Sequence, residues 1–307
     1  MTPIELVNDS VRVVIDPTNG CRIDVLEIRS PGGTWHGVLR SGTDGVGSFV
    51  MVPWANRIKD ASFGFDSRMH QLSPNHPDGT AIHGVGRDHA WTIGDRSPFT
   101  ARFAFDSRLA EGVNFPFEFG AVMRVEIGAG AVEMDLDLTN LGSVPMPGGA
   151  GHHPYFMRAL WDEGDELKIR ADVGGRYPCD GQIPTGSMTD DEVCMGLRSG
   201  GAIGDPGLDD VFGGFGGRAE LEWGKSGVRC VMECSDTLGH LVVFTPRDAG
   251  GTAPLPWVCV EPMSMVNDGF NSSAENTETG VLVLEPGETL QTRTRLSFEL
   301  LSESGSD

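Results

Sequence analysis

Residues 121–138 read AVMRVEIGAGAVEMDLDL. Apolar and polar side chains alternate over Ala121–Ile127 and again over Ala131–Leu138, which is the period-two signature of strands with one buried face. Gly128-Ala129-Gly130 between them is a hairpin signal. The same reading extends outward to Ser10–Ile15 (SVRVVI), Val228–Glu233 (VRCVME), His240–Phe244 (HLVVF), Trp257–Val260 (WVCV) and Arg293–Leu301 (RTRLSFELL). Some of these alternate and others are mostly apolar. Helical periodicity is confined to one short candidate, Asp190–Leu197. Gly213–Gly217 (GGFGG) is expected to be a loop. Many short strands without a dividing linker predict an all-β fold, a single antiparallel sandwich or barrel over residues 1–301. Residues 302–307 are expected to form a polar, disordered tail.

Composition agrees with many turns and a real core. The 307 residues include 43 Gly and 19 Pro, and 39% are hydrophobic. Acidic residues outnumber basic ones 44 to 23, a formal charge of −21, so nucleic acid and anionic membranes are disfavoured as partners. Six cysteines form no CxxC pair and sit beside no histidine at zinc-ligand spacing. Cys230 and Cys234 share a strand face but are too far apart along it for a disulfide. A reduced, cytoplasmic protein is expected. Residues 1–17 resemble no signal peptide, and no run approaches the roughly 18 apolar residues of a membrane span.

Four segments gather polar or titratable groups beside rigid residues: PWANRI (Pro53–Ile58), HGVGRDHAW (His83–Trp91), GHHPYF (Gly151–Phe156) and EPMSMVNDGFN (Glu261–Asn271). Pro154 restricts His153 to extended backbone, at a strand end. Glu261 follows an apolar run and precedes Pro262. Such a carboxylate either caps the strand in an ion pair or points into a cavity, where desolvation raises its pKa. His152 and His153 are adjacent and face opposite sides of a strand, which argues against a metal centre built on both. Serine-hydrolase, Rossmann and P-loop fingerprints do not occur.

Taken in this order, together with HLVVFTP (His240–Pro246), the four segments resemble the aldose 1-epimerase (galactose mutarotase) family, in its HPYF-type bacterial form. The resemblance spans essentially the whole chain. It implies a large single-domain β-sandwich with a sugar site on a concave face and a cofactor-free acid–base reaction. That reaction interconverts the anomers of a free aldose, expected to be a hexose. By motif position Glu261 is the base that takes the O1 proton and His153 the acid that protonates the ring oxygen. Their environments are expected to leave a carboxylate and an imidazolium side by side. His83 and Arg57 are expected to hydrogen-bond the sugar. Asp209 does so too, with Asp210 as the alternative if the register slips by one. Asn56 and Trp91 are expected behind or against the sugar, core packing being the other reading of Trp91. The implied partner is a small sugar, and the chain a monomer or homodimer.

Three positions depart from the family pattern: Asp268-Gly269 where Asp-Ala is common, Met157-Arg158 after HPYF, and Arg87 in the HG…W loop. All fall where substrate contacts are set. Two alternatives follow, an epimerase of a modified or anionic sugar and a non-catalytic sugar-binding relative. Retention of both His153 and Glu261 argues against the second.

Overall fold

The computed structural model describes residues 2–41, 46–204, 207–272 and 279–301; the predicted tail, 302–307, lies outside them. Among the described residues two large antiparallel sheets dominate. One contains, in spatial order, Ile4–Val7, Val11–Asp16, Arg22–Arg29, Ser48–Met51, Gly151–Met157, Trp257–Met263, His240–Phe244, Asp209–Gly213 and Gly175–Arg176, with Trp35–Gly37 paired to the third. The other runs Thr92–Arg96, Thr100–Asp106, Phe119–Gly128, Ala131–Asn140, Thr289–Leu300, Val228–Cys234, Arg218–Trp223 and Leu167–Ala171.

The predicted hairpin forms with Phe119–Gly128 paired to Ala131–Asn140, Gly128 opposite Ala131. Gly130 turns the chain at φ 64°, where a glycine meets no Cβ penalty. Phe119, Ala121, Met123, Val125 and Ile127 all point into the core, as the alternation requires. The helix is real but shifted, Glu192–Ser199, because Asp191 rather than Asp190 caps it by accepting from the amides of Val193 and Cys194. Gly213 belongs to a strand, which shortens the glycine-rich loop by one residue.

The central strands of the first sheet do not alternate. Ser48–Met51 is buried throughout and Trp257–Met263 nearly so. One face packs on the second sheet and the other lies beneath long connections, which explains the apolar runs. His152 belongs to the inner face. Its Nδ1 lies 3.1 Å from Thr294 Oγ1 on the second sheet, tying the two layers together.

Burial lowers the His152 imidazole to about 4 from the ordinary 6.5. The folded state resists a proton that the unfolded chain accepts. Stability from this group is therefore complete above pH 6.5 and is lost as the pH falls from there through about 4. The loss amounts to about 3 kcal/mol. Urea unfolding at pH 7 and at pH 4 should show that fall in the parent chain and a smaller one in His152→Gln. An equal fall in both would mean that His152 does not carry the effect.

Candidate active site

Two prolines shape the floor of the site. Strands Gly151–Met157 and Trp257–Met263 pair at Gly151–Met263 and resume at Tyr155–Cys259 in the same register. Between these points the ladder is open, and Pro154 and Pro262, which have no N–H to donate, both lie in the gap. The register sets His153 opposite Glu261. Their side chains meet at 3.1 Å, Nε2 to Oε1. Both residues are therefore strand-interior, not at strand ends as the sequence suggests: Glu261 neither caps a strand nor pairs with a surface cation.

His153 is held by stacking. Its ring stacks on Phe49 (centroids 4.5 Å apart) and on Tyr155 (4.6 Å), which lie 6.2 Å from each other and so flank it from two adjacent sides. Phe49 is its register partner on the other side, and Tyr155 follows two residues along the same face. Phe156, the other aromatic of GHHPYF, points into the core. The edge of His83 approaches at 5.0 Å, nearly perpendicular. Over Phe49, 5.1 Å from its ring, stands the Arg87 guanidinium.

Protonation departs from expectation. Glu261 is 2% exposed and His153 5%. Burial pushes the Glu261 carboxyl well above its usual range, reinforced by Asp209 and only partly offset by Arg57. Burial, then the charge of Arg87, brings the His153 imidazole down to about 3. Both shifts act against the expected carboxylate–imidazolium pair. Desolvation favours the uncharged arrangement, with the proton on Glu261 and a neutral imidazole. His83 is likewise held neutral, by burial first and then by neighbouring positive charge.

Arg57 and Asn56 form one unit. Arg57 donates through Nε to Asp78 (2.9 Å) and through a terminal nitrogen to Asn56 Oδ1 (3.2 Å). The Asn56 carbonyl accepts the His83 N–H at 2.8 Å. Asn56 and His83 both adopt positive φ, 54° and 63°, a conformation that asparagine tolerates better than most residues. Asn56 thus sits behind the site, positioning the Arg57 and His83 segments. Asp268 reinforces this arrangement. Its N–H donates to the Arg57 carbonyl, and its Oδ1 accepts from Lys59 N and Asn271 Nδ2, each at 2.8 Å.

Pairing sets Asp209 and Asp210 apart. Asp210 binds Arg176 at 2.9 Å. Asp209 pairs in register with Phe244, itself opposite Cys259, and so shares the face of the floor strand that carries Glu261. Its carboxyl has no hydrogen-bond partner among the described residues, and burial raises it to about 6, with Arg57 opposing. Trp91 is a correction. It is wholly buried, packs near Phe105 and donates its indole N–H to the Gly86 carbonyl at 2.8 Å. It braces the His83–Trp91 loop from inside and offers no face to a sugar.

The sequence reading did not pick out Phe49, Asp78 or Cys259. Phe49 and Cys259 look like ordinary apolar strand residues, and Asp78 lies in a polar loop. Only the register across several strands and loop closure bring Phe49 and Asp78 to the site and set Cys259 beside it.

A family model described as Aldose 1-epimerase matches residues 5–297. The uncharacterized Escherichia coli K12 protein YphB is 27% identical over 263 residues, covering 82% of this chain and 84% of that protein. A galactose mutarotase-like protein from Clostridium acetobutylicum superposes with a TM-score of 0.83 at 21% identity, over 97% of this chain and 95% of its own. A galactose 1-epimerase from Lactobacillus acidophilus NCFM gives 0.75 at 17% identity, over 98% and 95%. No helix among the described residues is long and apolar enough to cross a membrane.

Proposed function

The chain belongs to the aldose 1-epimerase family, and on that premise we propose that it is a mutarotase acting on a free aldose, with Glu261 and His153 as its acid–base pair. The observation that carries this reading is the 3.1 Å contact between those two side chains, buried together on one sheet face. Mutarotation needs one group to take the O1 proton and another to protonate the ring oxygen as C1–O5 breaks. Rotation about C1–C2 and reversal of both transfers yield the other anomer.

The resting proton fits this cycle. Ring opening moves a proton from O1 to Glu261 and another from His153 to O5. It leaves a protonated carboxyl beside a neutral imidazole, the arrangement that burial favours. The open-chain state is therefore electrostatically matched to the site. Before ring opening the bound sugar must draw the charged arrangement out, through hydroxyl hydrogen bonds to Glu261 and the nearby charge of Arg57, which lowers that carboxyl.

Asp209 is assigned to the sugar hydroxyls. Its ionised form, the better acceptor, exists above about pH 6. KM should therefore rise as the pH falls through that value. In Asp209→Asn, KM should be raised throughout and show no such inflection. An inflection unchanged in the variant would remove Asp209 from this role.

A neutral hexose is the leading substrate. Arg87 favours a second reading, a sugar bearing an anionic substituent, because its guanidinium stands over Phe49 beside the acid and its Nε, 3.5 Å from Asp88 Oδ1, makes no hydrogen bond. Polarimetry or NMR of freshly dissolved α-anomers tests both readings. The panel is glucose, galactose, xylose and phosphorylated and sulfonated hexoses. At least one should equilibrate faster with enzyme, and no acceleration of any sugar would sink the proposal. The free state of all six cysteines supports a reducing, cytoplasmic setting.

A further inference from the structure

Cys259 lies two residues before Glu261 on the floor strand, so the two side chains leave the same face. A ligand atom from each of His153, Cys259 and Glu261 lies within 4.8 Å of the other two, and all three residues are buried. Two polar atoms here, His153 Nδ1 and Glu261 Oε2, are buried without hydrogen-bond partners. The acid–base cycle uses no thiol, so the third member of the cluster is unexplained by it.

We propose that His153, Cys259 and Glu261 form an inhibitory Zn²⁺ site superimposed on the acid–base pair. One nitrogen, one sulfur and one oxygen donor suit a borderline-soft ion, whereas Mg²⁺ and Ca²⁺ require oxygen ligands. Bond lengths of about 2.0–2.3 Å place tetrahedral donors roughly 3.3–3.8 Å apart. His153 and Glu261 already approach this at 3.1 Å. From a separation of at most 4.8 Å the thiol has to close by up to about 1.5 Å, within the reach of a rotation about its side-chain torsion. Three protein ligands leave the fourth position to water.

Binding involves no redox step. The Cys259 thiol proton and the proton held by His153 and Glu261 leave to solvent. The ion then occupies the lone pairs of all three groups. With those lone pairs taken, neither the O1 proton nor the O5 proton can be transferred. Arg87 opposes the ion by its charge, and Asp209 and the ionised Glu261 favour it. Because Cys259 has no part in the sugar reaction, changing it separates metal binding from catalysis.

The test uses Co²⁺ as a spectroscopic probe and Zn²⁺ as the inhibitor. The full-length chain should bind one Co²⁺ with a thiolate-to-Co²⁺ charge-transfer band, displaced by Zn²⁺ and abolished in Cys259→Ser and Cys259→Ala. Cys179→Ser, which removes the exposed thiol, should keep the band. Zn²⁺ should suppress anomer equilibration reversibly by chelator. In both Cys259 variants the basal rate should persist while the half-inhibitory Zn²⁺ concentration rises by at least about tenfold. No charge-transfer band in the parent, or equal Zn²⁺ sensitivity in parent and Cys259 variants, overturns the proposal. The inhibition readout rests on the proposed mutarotase activity, but the band does not. A Cys259-dependent band in a protein that equilibrates no sugar upholds the metal site and defeats the activity instead.

Discussion

Glu261→Gln lowers the rate of anomer equilibration by about 10²-fold or more, the usual scale for losing a general base. The amide nearly matches the carboxyl in size and keeps a polar contact to His153, but it cannot accept the O1 proton. The substitution should be mild for folding. The native carboxyl is buried and biased toward its neutral form, so a neutral amide removes no stabilising charge. A melting temperature close to the parent's, together with the lost rate, would place the effect in catalysis. The same turnover in parent and variant would remove Glu261 from the reaction.

His153→Asn should produce a second loss of about 10²-fold or more, because the ring oxygen loses its assigned proton donor. Here a stability cost accompanies the kinetic one. The imidazole packs against both Phe49 and Tyr155, and the smaller side chain leaves a gap, at about 1–3 kcal/mol. Turnover must therefore be measured well below the variant's melting temperature. A folded variant at full speed would show that His153 only packs. Combining both substitutions should cost little more than either alone, since the two groups act as a unit.

Much of the architecture is legible without coordinates. Alternation in 121–138 survives as the hairpin, because a strand with one wet face repeats its burial every two residues whatever surrounds it. The apolar runs at Trp257–Val260 and His240–Phe244 are likewise strands, covered on both faces. The site is partly legible too. GHHPYF and EP each pair a titratable residue with a proline, and the structure gives those prolines a joint role in opening the ladder between the two strands. Single segments cannot reveal that role, since the gap exists only where Pro154 and Pro262 face each other's strands.

Other features resist a linear reading. Asp209 and Asp210 are indistinguishable in sequence, yet neighbours on a strand point to opposite faces, and only the fold shows that Asp210 bonds to Arg176 while Asp209 shares the Glu261 face. Trp91 sits beside polar loop residues and carries a polar handle. Its burial depends on the Gly86 carbonyl folding back to meet it.

By itself, the chain determined an antiparallel β fold, the order of the family segments, and Glu261 and His153 as the acid–base candidates. The fold follows from local periodicity, and the segments and the acid–base pair from their resemblance to the family's motifs, neither of which needs long-range contacts. Only the tertiary structure decided that the two lie directly opposite each other, that burial biases their proton toward Glu261, and that Cys259 lies beside them. Register links strands far apart in the chain, and a pKa answers to the depth of burial. Both are properties of what the fold brings near, which no single stretch of sequence contains.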